Sequence, residues 1–365
     1  MAYSVDEVPP GFSFRVPFDA RVSERDVRRA TALWIASQQR KVARRQAQVK
    51  KLAGQIERRR KTLRAAVGAE AFFALSQFKR QIRLEAARKR SPPHGLGISQ
   101  DQLVRKQTKR IETFLEKRGV KPAKLRAAVD GLAAKISFPF TDVVGTFDGG
   151  VIAPDDPGPD TFRTFTPPFD GFVRGITETD VGFRVEHKNL LNGDVGQIGT
   201  IITLDDEDAG DFDSGSVSKD SQVAVWFQAP VTGFVEVLLD VQCSRARHEL
   251  RAQDEWGFSD SATSQRILFM MEALHDNVPE PTFILVSEIS HSGADGAFFD
   301  VQNVAPGANL RTQSLISLGA IPKGQMVLVT AGVKSEDSSF SNDVTIHSKS
   351  TSAWIIKRMH VRIAP

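Results

Sequence analysis

The densest group of hard oxygen donors in this chain is Asp205, Asp206, Asp208, Asp211 and Asp213, with Glu207 among them and Gly210 and Gly215 alongside. Carboxylates crowded into a glycine-containing loop suit calcium, a hard cation that takes several oxygens from flexible backbone. The run departs from the helix-loop-helix calcium template. Counted from Asp205, the fifth residue is Ala209 and the twelfth Ser216, where that template needs an oxygen donor and a glutamate. Without a metal, the same letters read as a solvated hairpin loop or a docking place for basic helices. Nothing else in the chain requires a cofactor.

A second polar group holds Arg247, His248, Asp254, Glu255 and Trp256. An indole beside carboxylates and guanidinium groups is what a glycan platform uses, the ring against a sugar face and the charges on its hydroxyls. Arg and Glu paired along a loop, with Trp256 plugging the end of a domain, would account for the same residues. His248 and Glu249 lack the second histidine of the two-His zinc motif. No nucleophile elbow, phosphate-binding loop, dinucleotide fingerprint or cysteine pair occurs, so the expectation is a protein that is not an enzyme. Cys243 is the single cysteine, set in a strand-like apolar run that predicts a buried structural thiol.

The third group is cationic. Arg58, Arg59 and Arg60, with Arg44, Arg45, Lys61 and the run Arg88 to Arg90, would neutralise phosphates along a helix, yet no aromatic residues are interleaved to stack bases. Phe72, Phe73 and Phe78 follow closely and would serve an anionic membrane surface if they were not core.

Behind these groups lies a division of the chain. Residues 21–135 contain 31 Lys plus Arg and 9 Asp plus Glu, whereas residues 136–365 contain 16 and 32, so a net charge of +4 conceals a strongly polar molecule. Such asymmetry speaks of contacts and partners rather than of fold. The simplest use for it is docking of the basic helices on the acidic half, in the same chain or in a neighbouring copy.

The basic stretch is helix-patterned. Ser23 caps a helix with Glu24 and Asp26 in its first turn, and Ile35, Val42, Val49, Ile56 and Leu63 recur every seven residues as a coiled-coil-like seam. The companion positions Gln38, Arg45, Leu52, Arg59 and Ala66 are poor, so this helix needs a partner, for which 69–90 is the nearest candidate after a bend at Gly68. Further helices are predicted from Ser99 to Gly119 and from Pro122 to Lys135. From Phe169 onward, short Val-, Ile-, Phe- and Thr-rich runs alternate with turn residues, the pattern of an antiparallel sandwich. Val223–Gln228 and Phe234–Val237 read as the best hairpin, and Trp354–Ile363, with its Lys and Arg, as an edge strand, a partner-facing strand or one lying under the basic helices.

The fold class that follows is α+β and multi-domain: a basic N-terminal helical hairpin or bundle, then an acidic, all-β antiparallel sandwich of jelly-roll type. The expected divisions are an extended arm over 1–22, a helical domain over 23–136, a Pro/Gly/Asp-rich linker over 137–168 and the sandwich over 169–365. The opening residues lack the charged-then-apolar pattern of a signal peptide and no 18-residue apolar run occurs, so the chain is expected to be soluble and cytoplasmic when made. The primary functional expectation is a structural or recognition protein, a helical stalk presenting a sandwich in a homo-oligomer. Binding of a glycan or protein ligand, with or without calcium, is the main alternative. A membrane-attacking protein using the helical hairpin, or a nucleic-acid-binding one, are further alternatives.

Overall fold

The computed structural model describes residues 2–5, 22–89, 100–132, 136–138, 140–143, 145–146, 162–169, 171–181, 183–206, 212–254, 258–275, 281–294, 298–304, 309–315 and 319–364. After a short first strand, the described residues form four helices: α1 (Glu24–Val67), α2 (Ala69–Lys89), α3 (Gln100–Glu116) and α4 (Pro122–Leu132). Ser23 and Asp26 form a reciprocal capping box, in which Ser23 Oγ accepts from the Asp26 amide at 3.2 Å and the Asp26 carboxylate accepts from the Ser23 amide at 3.3 Å. Gly68, with φ +88°, breaks α1 from α2, and Gly119, with φ +71°, follows α3.

The strands are β1 (Ala2–Val5), β2 (Gly145–Thr146), β3 (Phe162–Phe165), β4 (Gly171–Val181), β5 (Arg184–Asn189), β6 (Gln197–Asp206), β7 (Asp213–Gln228), β8 (Phe234–Asp254), β9 (Asp260–Leu274), β10 (Thr282–Ala294), β11 (Phe298–Val304), β12 (Asn309–Leu315), β13 (Met326–Asn342) and β14 (Val344–Ala364). One sheet runs β1-β4-β7-β13-β9-β10-β2. The other runs β11-β8-β14-β6-β5, with β12 also along β8 and β3 along β14. Pairings are antiparallel apart from the parallel β2–β10 pair. The chain is therefore α+β with a β-sandwich, as the patterning predicts. Alternate residues of both sheets meet between the layers: Val223, Val225 and Phe227 share one core with Val235, Val237 and Leu239, and Phe269 meets Trp354 edge to face at 5.0 Å.

Two strand assignments need correction. Val223–Gln228 and Phe234–Val237 are not a hairpin, because β7 pairs with β4 and β13 while β8 pairs with β11, β12 and β14. The segment between them crosses from one sheet to the other, and alternation that fits a paired hairpin fits two facing layers equally well. Trp354–Ile363 is not an edge either. It belongs to β14, inside the second sheet, and its outward charges pair across strands: Arg362 with Glu236, and His360 with Asp240 at 3.0 Å.

The long first helix does not project from the sandwich. At a rise of ~1.5 Å per residue its 44 residues extend roughly 66 Å, and it lies along the outer face of the first sheet. Near its start, Val27, Ala30 and Trp34 pack on Ala224, Trp226, Leu274, Met326 and Leu328. Beyond that, the contact becomes polar. Ser37 donates to Glu272, which also receives Lys41 at 3.4 Å, and Arg45 donates to Ser216. Arg59 pairs with Asp260, and Lys79 of α2 pairs with Asp343. Arg45 and Arg59, two of the weak companions of the heptad seam, are thus the positions that meet the sheet. The helical half builds its own core around Leu63, Val67, Leu75, Ile82, Ile111, Leu115, Leu125 and Val129, to which the sandwich contributes Phe258 and Phe212.

Candidate functional site

Residues 136–138 and 140–143 lie across the first sheet, held from three directions. The Ser137 amide donates to Gln55 Oε1 at 3.0 Å, and Gln48 Nε2 donates to the Phe140 carbonyl at 3.2 Å. Thr141 donates to Glu336 through its amide at 3.0 Å and its hydroxyl at 2.6 Å, while Lys334 Nζ donates to the same hydroxyl at 2.8 Å. Glu336 is buried, which alone would push its carboxyl up. The charges of Lys334 and Arg45, with the Thr141 bonds, outweigh burial and hold it below the ordinary carboxylate range.

This anchored strap walls a groove of about 650 Å³ against the outer surface of β9 and β10. Phe138 and Phe140 lie on one side, their rings 5.9 Å apart and inclined at 46°. On the other are Arg266, Glu288, Ser290, His291 and Ser292, with Asp142 at the strap end. The Arg266 guanidinium lies 4.5 Å from the Phe140 ring centre and donates to Glu288 Oε1 at 3.1 Å. Its Nε is buried without a hydrogen-bond partner. Partial desolvation lowers the proton affinity of His291, against the pull of Asp300. The groove thus combines aromatic walls, one guanidinium, two carboxylates and several hydroxyls. Its chemistry is directional hydrogen bonding beside a ring face, and its size is within the roughly 300–1,000 Å³ of small-ligand pockets.

The residues singled out from sequence are distributed differently. Arg247 and His248 are neighbours on β8 and point to opposite faces of the second sheet, as strand alternation requires. Arg247 is half-buried on the outer face and donates to Glu249 at 3.0 Å. His248 is fully buried between the sheets, bonded to Gln265 Oε1 through Nδ1 at 2.9 Å and to Ser287 Oγ through Nε2 at 2.8 Å. Asp254 ends β8, and Glu255 and Trp256 lie outside the described residues.

In the acidic segment, Asp205 pairs with His347, and Asp206 is buried and accepts from Ser341. Asp213 begins β7, and Asp208 and Asp211 lie outside the described residues. The strands on either side of the acidic segment, β6 and β7, belong to different sheets and so do not pair as a hairpin. Among the described residues, no three His, Cys, Asp or Glu side chains gather closely enough to hold a metal ion.

On the helices, Arg58 and Arg60 are exposed while Arg59 is buried against Asp260. Phe78 stacks on Phe114 at 4.3 Å, Phe72 meets Phe212 at 6.3 Å, and Phe73 is 65% exposed. No helix among the described residues is long and apolar enough to cross a membrane. Cys243 is buried as expected, and burial pushes its thiol up to about 11.

Sequence reasoning missed Phe138, Phe140, Arg266 and Glu288. The one local signal was the Phe138-Pro139-Phe140 triplet, since two aromatic residues astride a proline in a polar linker need something to pack on.

Comparison with protein families and with curated proteins gives no match. Among solved structures, the enzymatically active domain of bacteriophage CBA120 tailspike protein 4 aligns with 48% of this chain and 19% of its own, at 10% identity and a TM-score of 0.15. The carbohydrate-binding module TmCBM61, solved with β-1,4-galactotriose, aligns with 45% of this chain and 86% of its own, at 10% identity and a TM-score of 0.10. This chain thus spans about a fifth of the tailspike domain, and TM-scores this low establish neither a shared fold nor a shared function.

Proposed function

We propose that this protein is a non-enzymatic recognition protein whose sandwich holds a neutral, polyhydroxylated ligand of the glycan class in the groove walled by Phe138 and Phe140. The reading rests on the pairing of Phe138 and Phe140 with Arg266, Glu288, Asp142 and the serines of β10 across one groove. A sugar offers an apolar face to a ring and vicinal hydroxyls to carboxylates and guanidinium, and this lining complements both. The Arg266–Glu288 pair leaves no large excess of either charge, which favours a neutral ligand over a polyanion. Because the strap is fixed by Glu336, Gln48 and Gln55, the groove is formed before the ligand arrives.

The test is a neutral-oligosaccharide array followed by titration calorimetry of the best ligand. Phe138→Ala and Arg266→Ala are each expected to weaken binding by ~10-fold or more, equivalent to ~1.4 kcal/mol, while thermal unfolding stays cooperative. The bound oligosaccharide should be recovered uncleaved. An array with no neutral ligand, or equal binding by both variants, rejects the proposal.

A further inference from the structure

Docking of α1 on the sheet consumes only one side of its charge. Between Val27 and Val67 the helix carries thirteen Lys and Arg and a single acid, Glu57. Arg29, Lys41, Arg45 and Arg59 turn toward the sandwich, where they meet the Met326 carbonyl, Glu272, Ser216 and Asp260. Arg40, Arg44, Lys50, Lys51, Arg58, Arg60, Lys61 and Arg64 are all exposed. At ~100° per residue, Arg40, Arg44, Lys51 and Arg58 fall within roughly 40° of one another, and Lys50, Lys61 and Arg64 extend the basic arc to roughly 160°. The opposite charges of the two halves therefore account for the inner face and leave the outer one unexplained.

We infer that this outer face of α1 is a docking surface for double-stranded nucleic acid, which it holds through the phosphates. From Arg40 to Arg64 the cations cover roughly 36 Å of helix, about one turn of a B-form duplex. Long flexible cations spread over that length match a polyanion of regular spacing, and the contact reads charge rather than sequence. Single strands are disfavoured because α1 presents no exposed aromatic side chain on which bases would stack. A membrane surface is disfavoured for a related reason. The exposed large apolar side chains among the described residues are Phe73, Val195, Phe234 and Phe299, and none is on α1, whereas a helix lying in a bilayer interface inserts apolar groups. The surface is separate from the strap groove and stands whether or not that groove takes a glycan.

The experiment is fluorescence anisotropy of a labelled 24-base-pair duplex with the full chain at several salt concentrations, beside the variant Arg40→Gln/Arg44→Gln/Lys51→Gln/Arg58→Gln. Glutamine keeps helix propensity, and these exposed positions should leave the melting temperature within about 2 °C. Expected are micromolar binding at low salt, steep weakening with salt, and a log–log salt slope that flattens by about 3 to 4 in the variant. Absence of binding at 50 mM salt, or an unchanged slope in the variant, overturns the inference. So does binding to phosphatidylserine-containing vesicles without binding to the duplex. Salt-sensitive self-association of the protein alone, lost in the same variant while the duplex is not bound, assigns the face to a second copy and overturns it as well.

Discussion

At the residue scale the least expected feature is a polar chain of side chains between the two sheets, buried apart from half-buried Ser287 at one end. Ser287, His248, Gln265, Asp337 and Ser348 are linked in series, with Gln265 Nε2 donating to Asp337 Oδ2 at 2.9 Å and Ser348 Oγ donating to the same carboxylate at 2.7 Å. Because Gln265 Oε1 can only accept, the His248 Nδ1 atom carries the proton, and a neutral ring then accepts from Ser287 through Nε2. Burial lowers His248 to about 4 against the bond to Gln265. Burial also raises Asp337 to about 7, opposed by bonds from Ser348 and Gln265 and reinforced by Asp205. The two groups pull stability in opposite directions. His248 binds fewer protons folded than unfolded between about pH 4 and 6.5, so its contribution is lost as pH falls through that window. Asp337 binds more protons folded than unfolded between about pH 4 and 7, so its contribution is lost as pH rises. Asp337→Asn should therefore gain on the wild type from pH 4 to 7 and then hold a constant advantage, with an upper bound of about 4 kcal/mol. His248→Gln should show its advantage only below about pH 6.5. Urea midpoints across pH 4–8 check both, and parallel profiles for all three proteins would refute this reading of the network.

At the element scale the decisive contact is α1 on the first sheet. Its apolar end rests on Trp34, 3% exposed against Trp226, Leu328 and Met326, and truncation to alanine should cost about 3–5 kcal/mol through the cavity left behind. Its polar end rests on Arg59, which pairs with Asp260, donates to the Leu132 carbonyl at 2.5 Å and lies 5.3 Å from the Phe340 ring centre. Arg59→Ala strands a buried carboxylate and should cost about 3 kcal/mol, whereas Arg59→Met with Asp260→Leu should recover most of that loss. Equilibrium denaturation of the two variants decides between a contact that needs the pair and one that merely tolerates it. The same docking explains the long polar strands. Segments such as Ser214–Gln222 and Lys334–Asn342 carry Ser, Lys, Asp and Glu in place of strand formers, yet both continue as strand because α1 covers one side and the inter-sheet network takes the other.

At the scale of the whole molecule, helices and sandwich share buried surface, since Phe212 and Phe258 of the sandwich enter the helical core and Val27, Ala30 and Trp34 of α1 enter the sheet surface. Calorimetry of the full chain should accordingly give one transition with equal calorimetric and van't Hoff enthalpies, and two resolved transitions would show that the halves unfold independently. A fragment beginning at residue 162 would expose Trp226, Leu328 and Phe340 together with the carboxylates of Glu272, Asp260 and Asp343. It should aggregate at concentrations where the full chain remains dispersed, as light scattering would show.

The sequence alone determined the local elements. The Ser23 cap, the bend at Gly68, the stop before Gly119 and the start at Pro122 are legible because caps and breakers act within one turn of backbone. Alternation of Val, Ile and Phe marked the strands of the core for the same reason, and the charge division pointed to basic helices docking on an acidic half, of the same chain or of a neighbouring copy. Only the tertiary structure decided which strands pair, because a two-residue period is the same whether its apolar face meets a neighbouring strand or an opposite sheet. It also decided what each charge is for. Arg58, Arg59 and Arg60 are identical letters in a row, yet the turn of the helix puts one against Asp260 and leaves two in solvent. Arg247 and His248 adjoin in sequence, yet the pleat sends one to the surface and one to the interior. The groove lined by Phe138, Arg266 and Glu288 joins residues more than a hundred positions apart, and their proximity is set by long-range packing that no local pattern encodes.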